Sequence, residues 1–172
     1  MDWSLILKRD GPAVWRTGFR ILGNSDDTDE CFQEAVMNAI EVNKRQAVHN
    51  WRAMLQRLIA TRAIDRLRQR YRQRALVSTI TELDGLPNRQ APPSQLFDDA
   101  ELQQGLRNAL TQIPDNQATA FCMCCLEGWT YRDCGTEMHL TTDAIGVLIQ
   151  RARKKLQAIL ADQLELITNT KH

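Results

Sequence analysis

Glycine and aromatic residues are scarce in this chain of 172 residues: there are eight glycines, and Phe, Trp and Tyr together make up 6%. Sheet-rich folds draw heavily on β-branched and aromatic residues and on glycine turns. The scarcity, beside long stretches of Ala, Leu, Arg and Gln, therefore argues for helices. Long apolar runs are missing too. No segment approaches the ~20 apolar residues of a membrane-spanning helix. The opening MDWSLILKRDGPAVW lacks the basic start and apolar run of a signal peptide. The expectation is a cytoplasmic protein without membrane insertion, in a compartment where thiols stay reduced. The five cysteines, Cys31, Cys122, Cys124, Cys125 and Cys134, then do not read as a disulfide framework.

Net charge is nearly absent as well, at +1, but the balance is local nowhere. Asn24 to Val42 holds six acids (Asp26, Asp27, Asp29, Glu30, Glu34, Glu41) and no Lys or Arg. Lys44 to Arg74 holds ten Lys or Arg against the single Asp65, and RARKK at 151–155 adds four more. An acidic block followed by a basic one suggests two partners, one basic and one polyanionic; a merely solvated helix surface is the alternative.

Hydrophobic spacing divides the chain into two small helical domains, an all-α fold. Residues 1–76 form the first. A short helix precedes the Gly11-Pro12 break, and a second begins near Pro12, a residue tolerated in a first turn. A third helix follows the capping residues of GNSDDTD. After a polar loop at 43–50, a long helix runs from about Trp51 to Arg74 with Trp51, Leu55, Leu58 and Ile59 on one face. Residues 77–98 carry three of the five prolines and no sustained period, which reads as a flexible linker. Residues 99–172 are helical again. There a short helix, Thr130 to Met138, meets a tight turn at His139-Leu140-Thr141 and a second helix from Thr142, the layout of a helix-turn-helix. Taken alone, that segment also fits a packing hairpin.

Three ordered segments resemble one family. DDTDECFQEAVMNA, WRAMLQRLIATRAIDRLRQR and LEGWTYRDCGTEMHLTTDAIGVLIQRARKKL are similar to the motifs of bacterial RNA polymerase sigma factors. The short, two-domain extracytoplasmic-function group of the sigma-70 family is the one they match. The resemblance covers nearly the whole chain. It implies a transcription initiation factor, not an enzyme, that needs no cofactor or metal. It further implies three partners: core RNA polymerase (clamp coiled coil and flap), promoter DNA and an anti-sigma factor.

The resemblance also gives each charged block a role. Asp27, Asp29, Glu30, Gln33 and Glu34 match the acidic helix that docks on the polymerase clamp, with Cys31, Phe32 and Val36 packing inward. Arg62, Arg66 and Arg70 recur every fourth residue, a stripe able to track phosphates, and match the helix that binds the minus-ten element. His49 and Asn50, in the loop before that helix, match residues that capture a flipped-out base; a capping Asn50 and a solvated His49 are the alternative. In the helix-turn-helix, Thr142, Gly146, Val147 and Gln150 face the groove, with Arg151, Arg153 and Lys154 further along for backbone grip.

Two departures from the family pattern stand out. Arg62 replaces the usual Asn. In the recognition helix, Ala144-Ile145-Gly146-Val147-Leu148 replaces a run of hydroxyl and basic contacts, shifting upstream recognition toward apolar contact and backbone grip. Cys122-Met123-Cys124-Cys125 with Cys134 and His139 has the residue types of a zinc or redox site. On one helix, however, C-x-C-C points its thiols to different faces, and reduced Cys packs as a small hydrophobe. A nucleic-acid-binding regulator that works without polymerase is the rival reading, and it leaves the acidic block without a job.

Overall fold

The computed structural model describes residues 1–83 and 99–169, and all regular structure among them is helical. Three helices make the first half: α1 (Trp3–Leu22), α2 (Ser25–Arg45) and α3 (Trp51–Leu83). Four make the second: α4 (Asp99–Leu110), α5 (Asp115–Phe121), α6 (Tyr131–Met138) and α7 (Thr142–Asn169), with a π-helical turn at Cys122–Leu126 continuing α5.

Local chemistry sets most boundaries. The Asp2 carboxylate accepts from Leu5 N (3.2 Å), and Asn24 Oδ1 accepts from Asp27 N (2.9 Å), so α1 and α2 both begin at side-chain caps. Gly23, at φ 75°, closes α1 in the left-handed conformation, its N–H on Phe19 O at 2.8 Å. Two expectations fail here. Gly11-Pro12 does not divide the first segment, because α1 runs straight through Pro12. The proline costs one backbone hydrogen bond, but Ile6, Val14 and Ile21 bury a continuous stripe that offsets it. The first half therefore has three helices, not four. The second failure is the end of α3, which continues past Arg74 to Leu83. The remainder of the expected linker, 84–98, lies outside the described residues.

α3 is the spine. It packs against α1 and α2 on one side and touches α4, α5, the π turn and α6 on the other. Leu55, Ile59, Ala60 and Ala63 of α3 are fully buried, as are Val14 of α1 and Ala35 and Ala39 of α2, and in the second half Leu110, Met123, Ile145 and Ile149 are buried in the same way.

Polar contacts dock the halves. Arg68 Nη2 donates to Ile113 O (2.9 Å), its Nε donates to Thr111 O (3.4 Å), and its guanidinium pairs with Asp115. Arg107 Nε reaches Ile21 O at 3.0 Å, Arg57 meets Glu137 at 3.1 Å, and Arg20 meets Glu127 at 2.9 Å.

Candidate functional site

The acidic and basic blocks, separate in sequence, face each other across the seam of α2 and α3. Arg66 is the hub. Its Nη2 lies 2.7 Å from Glu30 and 3.8 Å from Glu34, and its Nη1 lies 3.7 Å from Asp27. Arg62 Nε lies 3.8 Å from Glu34. Arg70 pairs with the second oxygen of Asp27 and donates to Leu22 O at 3.4 Å. Burial holds the Arg70 guanidinium below its usual pKa, with the charges of Arg74 and Arg107 adding to the effect. All three arginines of the expected DNA stripe thus have carboxylate partners drawn from the expected polymerase-facing set.

The rest of that set points elsewhere. Asp29 accepts from Trp15 Nε1 at 2.7 Å, and Gln33 is exposed. Behind the acids, Cys31 and Ala35 are buried while Phe32 and Val36 are half-buried, so the helix shows an apolar back and a polar front. Ahead of α3, His49 is exposed. Asn50 Oδ1 accepts from Ala53 N at 3.0 Å, which makes Asn50 the cap of α3.

The helix-turn-helix is built from local signals. Thr130 Oγ1 accepts from Asp133 N (3.0 Å) to start α6, and Thr141 Oγ1 accepts from Ala144 N (3.1 Å) to start α7. Between them His139 adopts φ 57°, the left-handed conformation in which a non-glycine is uncommon, and Leu140 N returns to Gly135 O at 2.8 Å. Gly135 makes this return possible: a Cβ there would sit 2.6 Å from Leu140 O, which is backbone and has no room to yield. Ile145, Ile149, Ala152 and Leu156 are buried, so the opposite face of α7 is fixed outward. Thr142, Val147, Gln150, Arg151 and Lys154 are exposed on it. Gly146 is half-buried, with open room only as far as the Tyr131 ring, 3.6 Å from where a Cβ would stand. Leu148 is half-buried against the core.

Among the described residues, no three His, Cys, Asp or Glu side chains converge as a metal site requires. Burial pushes the thiols of Cys122 and Cys124 up to about 12, with neighbouring thiols adding, so both stay protonated at neutral pH. Sequence reasoning missed the docking roles of Arg57, Arg68 and Arg107. Their only signal was membership of, or likeness to, the basic block, and which carbonyls they reach depends on the fold.

Comparison with known proteins places this geometry. Residues 103–156 match the family model "Sigma-70, region 4", which takes in all of α5 and α6, and α7 as far as Leu156. The chain is 24% identical over 160 residues to the "ECF RNA polymerase sigma factor SigE" of Mycolicibacterium smegmatis, an alignment covering 93% of this chain and 62% of that protein. It thus spans less than two thirds of the length of that relative. Its fold is similar to that of the sigma factor RpoE of Bartonella quintana, solved in complex with the anti-sigma factor NepR. There the TM-score is 0.53 and identity 20%, covering 93% of this chain and 97% of that one. The architecture is that of the two-domain helical sigma factors. The chain resembles the extracytoplasmic-function group along most of its length, and residues 103–156 match the sigma-70 region 4 model.

Proposed function

We propose that the chain is a sigma factor: it binds core RNA polymerase, directs it to promoter DNA and helps open the duplex, acting by binding and not by catalysis. The observation that carries this reading is the sigma-70 region 4 match on a capped helix-turn-helix whose recognition helix keeps Thr142, Val147, Gln150, Arg151 and Lys154 exposed. In this reading residues 1–76 hold the polymerase and minus-ten surfaces, 77–98 tether the domains, and 99–172 bind the minus-thirty-five element and the polymerase flap. Asp27, Asp29, Glu30, Gln33 and Glu34 dock on the clamp. Arg62, Arg66 and Arg70 bind the phosphates of the minus-ten element, and His49 and Asn50 receive an extruded base, Asn50 through whatever its cap leaves free. Gly146 lets the recognition helix approach the groove closely. The pairing of the acids with the arginines supports a division of labour. Each set holds the other until a basic polymerase surface competes for the acids and a phosphate chain competes for the arginines. The working compartment is the cytoplasm, and an anti-sigma factor is the expected regulator.

The test is reconstitution. Purified chain added to core polymerase should co-elute with it and support run-off transcription from promoters selected out of a random library. Failure to co-elute with core enzyme, with helix content intact, would overturn the proposal.

A further inference from the structure

Between the two halves lies a cleft outside the α2–α3 seam and away from the exposed residues of α7. Its cavity, about 340 Å³, is lined by Arg16 and Arg20 of α1, Arg52 and Gln56 of α3, and Glu127 and Trp129 from the segment joining the π turn to α6. A neighbouring cavity of about 340 Å³ shares Arg52, Gln56 and Trp129 and extends past Thr130 to Asn50. Each volume falls in the range of small-ligand pockets, and pockets favour interfaces between domains.

The neighbouring cavity also holds Asp133 and Glu137, the latter paired with Arg57 at 3.1 Å, but the charge in the first cavity is one-sided. Three guanidinium groups face one carboxylate, Glu127. That carboxylate is held by Arg20 at 2.9 Å and has a side chain only 6% exposed. Arg16 and Arg52 have no acidic partner among the described residues. This contrasts with the α2–α3 seam, where each arginine of the stripe is matched. Bringing unneutralised guanidiniums from two helices into one cleft costs repulsion, which an anion in the cleft would relieve. The guanidinium fork matches phosphoryl oxygens in a two-pronged contact. Trp129, shared by both cavities, supplies an indole, and base-on-aromatic stacking is the common way such a ring engages a nucleotide. Gln56 is held on Thr17 Oγ1 at 3.1 Å, so the floor between them is fixed.

We propose that this cleft binds a phosphorylated ligand of the nucleotide class, its phosphates on Arg16 and Arg52 and its base against Trp129. The site takes arginines from the first half and Trp129 from the second, so it is whole only while the halves are docked. A ligand there stabilises the docked arrangement in proportion to its occupancy. The consequence for transcription, a ligand that opposes spreading of the two halves onto polymerase, rests on the function proposed above; the binding site itself does not.

Full-length chain is titrated with ADP and with inorganic pyrophosphate as probes, by calorimetry and by tryptophan fluorescence. Both probes bind, and ADP alone changes the emission. Arg16→Gln with Arg52→Gln weakens both probes at least tenfold. Both residues are exposed and removing them relieves repulsion, so the thermal midpoint without ligand does not fall. Arg72→Gln with Arg74→Gln, outside the cleft, removes the same two charges and has little effect. Trp129→Phe removes the fluorescence response and weakens ADP but not pyrophosphate. Three results would each overturn the site: neither probe binding at millimolar concentration, binding that survives the double substitution, or a single-stranded oligonucleotide binding through Arg16 and Arg52 where ADP does not. The assay contains no polymerase, so its failure leaves the sigma reading standing, and failed reconstitution with core enzyme leaves the site standing.

Discussion

Neutralising Glu30 should make the free chain bind DNA more tightly, because Glu30 is the carboxylate nearest to Arg66. The pair is 2.7 Å apart, with Arg66 24% and Glu30 60% exposed. Bare Coulomb attraction at that separation is about 6 kcal/mol for an effective dielectric of ~20. Water around the exposed glutamate and the entropy of holding two long side chains reduce what is felt to about 1 kcal/mol or less. Glu34 and Asp27, each nearly 4 Å from Arg66, retain part of the hold. Releasing about 1 kcal/mol corresponds to roughly fivefold in affinity for a phosphate chain. The assay is fluorescence anisotropy with a labelled single-stranded oligonucleotide, run at low and at near-physiological salt. Removing any acid raises the net charge, so Asp26→Asn is the control. Asp26 is on the same helix, is exposed, and has no basic partner among the ion pairs of the seam. Glu30→Gln should exceed Asp26→Asn by about three- to fivefold at low salt, and the margin should narrow as salt screens both. Equal gains from the two substitutions would show that the seam does not restrain Arg66, and the argument from pairing would fall.

Charge reversal by Asp29→Lys with Glu34→Lys should abolish co-elution with core polymerase while helix content by circular dichroism is retained; unchanged co-elution would sink the assignment. Gly135→Ala should lower domain stability by ~1–3 kcal/mol, because the added methyl meets the Leu140 carbonyl at 2.6 Å, and a thermal midpoint equal to the parent's would contradict this. In a promoter-library selection, Gln150→Ala should relax preference at the upstream element, whereas Arg151→Ala and Lys154→Ala should weaken all sequences alike. An unchanged upstream motif with Gln150→Ala would mean the reading face is misplaced.

What was legible in the sequence is what local chemistry decides. The helix-turn-helix was readable because each of its helices starts at a threonine, Thr130 and Thr141, that caps an N–H three residues on. The all-helical fold followed from the spacing of Leu55 and Ile59, and of Ile145 and Ile149. Pro12 misled because its cost is local, whereas the burial that offsets it is spread along the whole of α1. The end of α3 misled for the opposite reason: from Ala75 to Thr79 its side chains are exposed, so the helix continues there without burial to mark it. The charge blocks were visible, but not that they face each other. That depends on how α2 lies on α3, as does the meeting of Arg16, Arg52 and Trp129 across two halves.

The π turn at Cys122–Leu126 gives the second half a fixed angular phase. Glu127 N bonds Cys122 O at 3.1 Å, five residues back, so this turn takes one residue more than an α turn, and Trp129 N closes onto Met123 O at 3.1 Å. One residue of α-helix is about 100° of rotation and 1.5 Å of advance. Deleting any one residue from Cys122 to Leu126 would let the segment wind as ordinary α-helix. The helix-turn-helix would then leave α5 on a different heading, and Glu137 would swing away from Arg57. The length of this single turn, more than any side chain in it, sets the direction in which the recognition helix points.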